Sequence, residues 1–419
     1  MTRRSVPEWT SKALLLLGIG SIVLAFSFSA LTAPDITAQS STDSTDDDSF
    51  RVAIGLQSGT NGFGGMDEAH VRMINSTGTT LWEYGDAHAY FDVSVLDNGT
   101  VLTAFMKKGY ESGCEPYDTP CSKTGFRLIK PDPEPHVIRE YTFPVRSDVN
   151  SEVHDVELLS SGEVVLTDMD RERVFTVNGD EITWSWNASS RYDAPPDPTK
   201  TDWLHINDVD YLGDDRFLVS VRNANQLVII ERGAGVQQVI NADESKRVLN
   251  QQHNPQQLTE DAVLVADSHN DRVVELTQEN GEWTPGWTLH DTGEVPFDWP
   301  RDADRLPDGR TLITDTLNNR VVMVDQNGTE LWSHQANYLP YEADYVGVGE
   351  SATGPVLSNS DSSVNGNART SIPVVSYLLD SARHVVALPF WVTELHVLVL
   401  VGGLITSGFG GYLEYAGNQ

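Results

Sequence analysis

An all-β fold, a six-bladed β-propeller held between an N-terminal and a C-terminal membrane helix, follows from three features of this sequence. A phrase recurs four times in one register: HDVELLSSGEVVLTDMDRERVFTV from His154, NDVDYLGDDRFLVSVRNANQLVII from Asn207, HNPQQLTEDAVLVADSHNDRVVEL from His253 and RDADRLPDGRTLITDTLNNRVVMV from Arg301. Short alternating runs behind turn signals fill the sequence around these copies. Both ends of the chain are apolar. Aligned on Asp168, Val221, Asp267 and Asp315, the copies step by 53, 46 and 48 residues. A repeat of that length with two or more strands supplies one blade, and dividing the span by it gives about six blades.

The elements follow in order. Residues 1–36 form an N-terminal membrane anchor or signal segment. Ala13 to Ala33 is uncharged and follows Arg3, Arg4 and Lys12, and about 20 apolar residues suffice to span a bilayer. Cleavage after the Ala30–Ala33 stretch would make it a signal peptide, and both readings stand. Arg3-Arg4 is a weak twin-arginine signal, because Pro7 interrupts the positions after it. Basic residues ahead of the first apolar segment put the N-terminus in the cytoplasm and the repeats outside, an extracellular domain at the cell membrane. Residues 37–49, rich in Ser, Thr and Asp, form a disordered linker.

The propeller covers residues 50–345. Its runs, such as Gly99-Thr-Val-Leu-Thr and Arg310-Thr-Leu-Ile-Thr, follow turns such as Asp97-Asn98-Gly99 and Pro307-Asp308-Gly309. The first copies are degenerate: Phe91-Asp-Val-Ser matches the entrance phrase with Phe91 where His154 stands. The first and last segments are expected to complete one blade together. Trp82, Trp184, Trp186 and Trp332 close several repeats and are expected to pack between blades. The recurring Asp-x-x-Asn-x-Arg phrase (Asp267, Asn270, Arg272; Asp315, Asn318, Arg320) reads as turn capping, without a catalytic role. Residues 346–384 form a second linker. Residues 385–413 form the C-terminal membrane segment, uncharged from Val397 to Tyr412, with Glu394 and His396 expected at the outer interface.

Charge and cysteines bound the surroundings. The chain carries 28 Lys and Arg against 61 Asp and Glu, a net charge of −33, with only 39% hydrophobic residues. Dispersed acidity suits a protein kept soluble in high salt, the halophilic reading. An acidic surface for a cationic partner is the alternative. No basic stripe exists for nucleic acid. Cys114 and Cys121 lie in the turn-rich stretch GCEPYDTPC, where a disulfide suits an exported protein. Sequons at Asn75, Asn98, Asn187 and Asn327 suit an exterior surface.

Chemistry is sought where the copies differ. The residue entering each blade's inner strand faces the channel, so His154, Asn207, His253 and Arg301 converge there. The second copy departs from the rest. Its entrance, Trp203-Leu-His205-Ile-Asn207, adds a histidine, and Arg222 stands where its sisters carry Met169, Ser268 or Thr316. His154, His205, Arg222 and His253 then form a cluster of three imidazoles and a guanidinium.

These phrases resemble the arylsulfotransferases that use an aryl sulfate rather than a nucleotide donor, here of a haloarchaeal type. The resemblance is carried in order by Val153-His154-Asp155, Trp203-Leu204-His205-Ile206-Asn207, Ser220-Val221-Arg222 and Gln252-His253-Asn254. It covers the stretch from His154 to Trp332 well and the first two blades loosely. One departure is Asn254-Pro255, where an acidic residue is often found. The resemblance implies an exported six-bladed propeller that moves a sulfuryl group from a small-molecule aryl sulfate donor to a phenolic or other hydroxyl acceptor. His253 would be the nucleophile and His154, His205 and Arg222 its catalytic partners. Asn207 and Arg301 would bind substrate.

The chemistry is coherent on physical grounds. A neutral imidazole is a competent nucleophile near pH 7, and Arg222 can fork onto two sulfate oxygens. One further histidine would protonate the departing phenolate, and the other would donate to an equatorial oxygen. No cofactor or metal is implied, since positioning and charge do the catalysis. A non-catalytic extracellular NHL- or WD-like binding module, an inactive family member and a zinc or copper site on the three histidines remain alternatives. Arg222 would repel a metal beside those ligands.

Overall fold

In the computed structural model the described residues are 8–33, 49–58, 69–293, 295–348, 354–358, 372–383, 388–389 and 391–417. The expected twin-arginine pair, nearly all of the 37–49 linker and most of the second linker lie outside them. The chain divides into two compact units, one of residues 1–35 and 370–419, the other of residues 36–369.

The first unit is helical. α1 (Glu8–Thr32) and a later helix (Glu394–Gly417) are each long and apolar enough to cross a bilayer. They pack against each other through small residues. A Cβ on Gly18 would meet Ser407 Oγ at 2.3 Å and Gly403 O at 2.4 Å, so only glycine permits this approach. A shorter amphipathic helix, Pro373–Arg383, lies in the stretch expected as linker.

The second unit is mostly β. An eight-stranded path contains β1 (Arg51–Gln57), β2 (Val71–Asn75), β3 (Thr80–Tyr84), β4 (Ala89–Val95), β5 (Val101–Tyr110), β6 (Cys121–Lys130) and β7 (His136–Val145). Then come β8 (Val156–Leu158), β9 (Val164–Asp168), β10 (Arg173–Asn178) and β11 (Glu181–Asn187) in one four-stranded sheet. β12 (Ile206–Gly213), β13 (Arg216–Val221), β14 (Gln226–Glu231) and β15 (Gly235–Ile240) make the next. β16 (His253–Thr259), β17 (Ala262–Asp267), β18 (Arg272–Glu279) and β19 (Glu282–Leu289) make a third. After the two-stranded pair β20 (Asp291–Thr292) and β21 (Val295–Pro296), a fourth sheet holds β22 (Pro300–Arg305), β23 (Thr311–Asp315), β24 (Arg320–Val324) and β25 (Glu330–Gln335). β26 (Leu339–Tyr345) returns to pair antiparallel with β1, Val52 facing Tyr345. The last strand and the first therefore share a sheet, as the sequence led one to expect.

Apolar faces of neighbouring sheets interlock in separate clusters, such as Val165, Val174 and Trp186 with Phe217, Val219 and Val228. Trp184 stacks on Phe217 of the following sheet at 5.2 Å, and Trp332 Nε1 donates to Ser76 O at 2.8 Å. These tryptophans are packing residues. Asp267 accepts from Asn270 Nδ2 and Arg272 Nε, both at 2.7 Å, and Asp315 does the same for Asn318 and Arg320 at 2.8 Å. The repeated phrase thus ties the turn between strands. A disulfide joins Cys114 to Cys121. Within the second linker, Leu357 N and Ser358 N donate to Glu275, clasping residues 354–358 onto β18.

The first strands of successive sheets lie side by side: β8 with β12, β12 with β16, β16 with β22, β22 with β26, and β26 with β4. Each of β4, β12, β16 and β22 shifts register near its start, between Tyr90 and Val93, Ile206 and Asp208, His253 and Pro255, Pro300 and Asp302. Such a bulge breaks the two-residue alternation and re-aims consecutive side chains. This is what positions the site.

Candidate active site

His253 opens β16 and is 1% exposed. Its Nδ1 lies 2.8 Å from Ser268 Oγ, and that hydroxyl donates to Pro300 O at 2.7 Å. A serine has one proton to give. With it spent on the carbonyl, Ser268 Oγ must accept from Nδ1–H, so Nε2 carries the free lone pair.

His205 precedes β12 with its backbone in the left-handed region at φ 53°. The buried carboxylate of Glu172 holds it there, accepting from Leu204 N and His205 N at 2.8 Å and from Ile206 N at 3.1 Å. His205 Nδ1 donates to Asp202 Oδ1 at 2.7 Å, which again leaves Nε2 as an acceptor. His154, just ahead of β8, meets the Tyr341 hydroxyl through Nδ1 at 2.8 Å. A phenol is the better donor of that pair, so Tyr341 O–H donates to Nδ1 and His154 presents Nε2–H.

The rings form a chain. His154 lies 5.6 Å from His205 and 5.0 Å from Tyr341, and Tyr341 lies 6.2 Å from His253, centroid to centroid. Phe91 backs His154 at 4.6 Å. Arg301 lies over the Tyr341 ring at 4.8 Å and donates to Gln57 Oε1 at 2.8 Å. Arg222 donates to Gln251 Oε1 at 3.0 Å and lies 5.8 Å from the Trp299 ring. The buried Nε of each arginine has no hydrogen-bond partner among the described residues. Asn207 is fully buried: its Nδ2 donates to Gln252 O at 2.9 Å, next to His253, while its Oδ1 has no hydrogen-bond partner among the described residues.

Burial and the two guanidinium groups set the electrostatics. Desolvation first, then Arg222 and Arg301, hold His253 well below the ordinary imidazole value. His154 is held well below as well, by desolvation and then His205 and Arg301. His205 is pushed down to about 4, by desolvation and then Arg222, with Asp202 opposing. All three are neutral imidazoles at pH 7. Arg222 itself is lowered to about 10 by desolvation, still a cation at neutral pH. Three neutral imidazoles thus lie beside two guanidinium cations, an arrangement suited to an anion and to nucleophilic attack.

The structure therefore brings together His154, His205, His253 and Arg301, with Arg222 close enough to depress all three histidines. Asn207 stands behind His253. The sequence reading missed Tyr341, Ser268, Glu172 and Asp202. Tyr341 had a signal: Tyr341-Glu-Ala-Asp repeats the entrance phrase in the closing strand. Among the described residues no group of three His, Cys, Asp or Glu is placed to hold a metal.

Residues 137–298 match the family described as Arylsulfotransferase (ASST). No curated protein matches the chain. Among solved structures, a protein of unknown function from Bacteroides caccae aligns with a TM-score of 0.51 at 12% identity, covering 71% of this chain and 99% of that one. A protein from Lactobacillus plantarum aligns at 0.45 and 11% identity, over 71% and 99%. A putative 6-phosphogluconolactonase from Bacteroides fragilis aligns at 0.43 and 12% identity, over 73% and 100%. At these identities the likeness concerns the fold alone. The second unit is mostly β and propeller-like, and the match to the arylsulfotransferase family model is confined to residues 137–298, under half of the chain.

Proposed function

We propose that the protein transfers a sulfuryl group from an aryl sulfate to a phenolic or other hydroxyl acceptor through a sulfo-His253 intermediate. The observation that carries this reading is the Ser268 clamp, which leaves His253 Nε2 with a free lone pair beside the guanidinium groups of buried Arg301 and half-buried Arg222. In the first step Nε2 attacks sulfur, the aryl O–S bond breaks and its electron pair leaves on the phenolate. In the second the acceptor oxygen attacks, its proton passes to a base, and the N–S bond breaks. Arg222 and Arg301 hold the sulfate oxygens. His154, through Nε2–H, hydrogen-bonds an equatorial or leaving oxygen. His205 Nε2, oriented by Asp202, takes the acceptor's proton. Asn207 fixes the backbone at Gln252, ahead of the nucleophile.

The wider organisation is proposed with it. Six blades fit the four separate sheets plus the eight-stranded path taken as two blades, β26-β1-β2-β3 and β4 to β7, joined at Gln57 and Ala89. The domain spans residues 50–345, anchored by its terminal helices at the cell membrane with the blades outside, in a salt-rich setting. The test is incubation with p-nitrophenyl sulfate in high salt. Acceptor-dependent release of p-nitrophenol, and one sulfuryl group on His253 when acceptor is withheld, are expected. Full activity in His253→Ala overturns the mechanism.

A further inference from the structure

A second constellation lies one residue beyond the histidines. The residue after each channel-facing position is Asp92, Asp155, Asp208, Asp302 or Glu342, with Asn254 in the β16 copy. Two residues on come Glu157, Asp210, Asp304 and Asp344, with Gln256 in β16. These acids are not surface solvation. Asp92, Asp155, Asp208, Asp302, Glu342 and Asp344 are all buried.

Most of them have one structural task. Each carboxylate accepts a backbone N–H from the first strand of the next sheet: Asp92 from Val156, Asp155 from Val209, Asp302 from Ala343, Glu342 from Val93, and Asp344 from Val95. The stitch advances one sheet at a time and is interrupted around β16, where Asn254 turns its Nδ2 to Glu342 Oε2 at 2.8 Å instead. The residue that should donate to Asp208 is Pro255, which has no N–H. Asp208 is 5% exposed, and its Oδ1 has no hydrogen-bond partner among the described residues. Asp210 Oδ2 beside it is also unmatched, and so is Oδ1 of Asn254, a neutral amide that is 9% exposed. An unmatched carboxylate out of water costs several kcal/mol unless it is protonated or bound to a cation.

Asp208, Asp210 and Asn254 line a cavity of about 20 Å³, walled also by Pro255, Asp155, Asp302, Asp304 and Glu342. That is room for one water-sized occupant. A larger cavity of about 940 Å³ shares Asp210 and Gln256 with it and reaches the exposed turns at Asp97, Asn98 and Gly162, which gives a route from solvent. Every donor atom is a carboxylate or amide oxygen, a set that suits a hard cation and not zinc or copper. Calcium tolerates irregular geometry and mixed carboxylate, amide and water ligands, whereas magnesium demands an octahedron.

We propose that this cavity binds one calcium ion, with Asp208, Asp210 and the Asn254 amide oxygen as its protein ligands. No three acidic or imidazole groups converge on one point among the described residues, so the Asn254 amide oxygen and water held in the adjoining larger cavity, which shares Asp210 and Gln256, complete the shell. The site depends on the orphaned acids and Pro255, and does not rest on the sulfotransferase reading.

The test uses the full chain in detergent, stripped with EDTA and titrated with CaCl2 by calorimetry in 2 M KCl, where weak surface binding is screened. One saturable site per chain is expected, with a calcium-dependent rise in Tm. Asp208→Asn should weaken affinity at least tenfold with an unchanged circular dichroism spectrum. Pro255→Ala, which restores the missing N–H donor, should weaken it too, and serves should Asp208→Asn fail to fold. Absence of a saturable site in the native chain, binding lost entirely in KCl, or native affinity in the folded variants overturns the proposal.

Discussion

Replacing Ser268 by alanine tests the tautomer argument without touching the reacting atoms. The hydroxyl accepts from His253 Nδ1 at 2.8 Å and donates to Pro300 O at 2.7 Å, so Ser268→Ala strands a buried donor and loses an acceptor's partner. Leaving a buried group unmatched costs about 1–3 kcal/mol. At about 1.4 kcal/mol per decade of rate, that is roughly a 10- to 10²-fold loss. The loss should fall on kcat, because the sulfate is held by Arg222 and Arg301, and KM should stay near its native value. Ser268→Thr should restore activity, since Thr316 occupies the same position in the following repeat and is itself buried. The assay is acceptor-dependent release of p-nitrophenol, with 15N resonances of His253 reporting which nitrogen carries the proton. Native kcat in Ser268→Ala, or a proton found on Nε2 of His253 in the native chain, refutes the reasoning.

Other outcomes follow from the same geometry. Arg222→Lys should reduce transfer by about 10²-fold or more, as a point charge replaces a fork, measured as kcat/KM with p-nitrophenyl sulfate. Activity should hold between pH 8 and pH 6 and fall only as His205 titrates near 4, so a limb at pH 6.5 would count against buried neutral imidazoles. Opening the Cys114–Cys121 disulfide by double serine substitution should cost at most about 3 kcal/mol, the loop being short, and leave kcat unchanged. For stability, Asp155 and Asp302 are raised to about 7 by burial, so the contribution they make below their unfolded value is lost as pH rises through 7. Without calcium, Tm should therefore increase from pH 8 to pH 6, a slope that calcium should flatten.

Much of the site was legible because its residues break a repeat. His154, His205, Arg222 and His253 stood out as departures within phrases that otherwise recur. Ser268 was hidden for the opposite reason: it lies inside the Asp-x-x-Asn-x-Arg phrase, whose other members only tie a turn. Its role needs Pro300 O, 32 residues away, and no local pattern reports that pairing. Tyr341 carried the right phrase, but its strand pairs with β1 across most of the chain, and a reading that moves along the sequence reaches it without a neighbour. Glu172 also acts at a distance, holding the backbone of residues 204–206.

The acids show where composition misleads. A charge of −33 reads naturally as solvated surface, yet the inner strands bury a share of it beside the histidines. Both facts come from one feature of the backbone. Had the strands kept strict alternation, His253 and Asn254, or Arg301 and Asp302, would face opposite sides of the sheet. The register shifts at Ile206–Asp208, His253–Pro255 and Pro300–Asp302 turn successive residues inward. A layer of imidazole and guanidinium is thereby stacked next to a layer of carboxylate. The stitching N–H groups give most of that second layer a hydrogen-bond partner, and Pro255 interrupts the stitch two residues after the nucleophile. Substituting Pro255 therefore tests more than a cation site. If the two layers are independent, Pro255→Ala changes calcium affinity and leaves transfer at its native rate. If His253 moves with Asn254, both fall together.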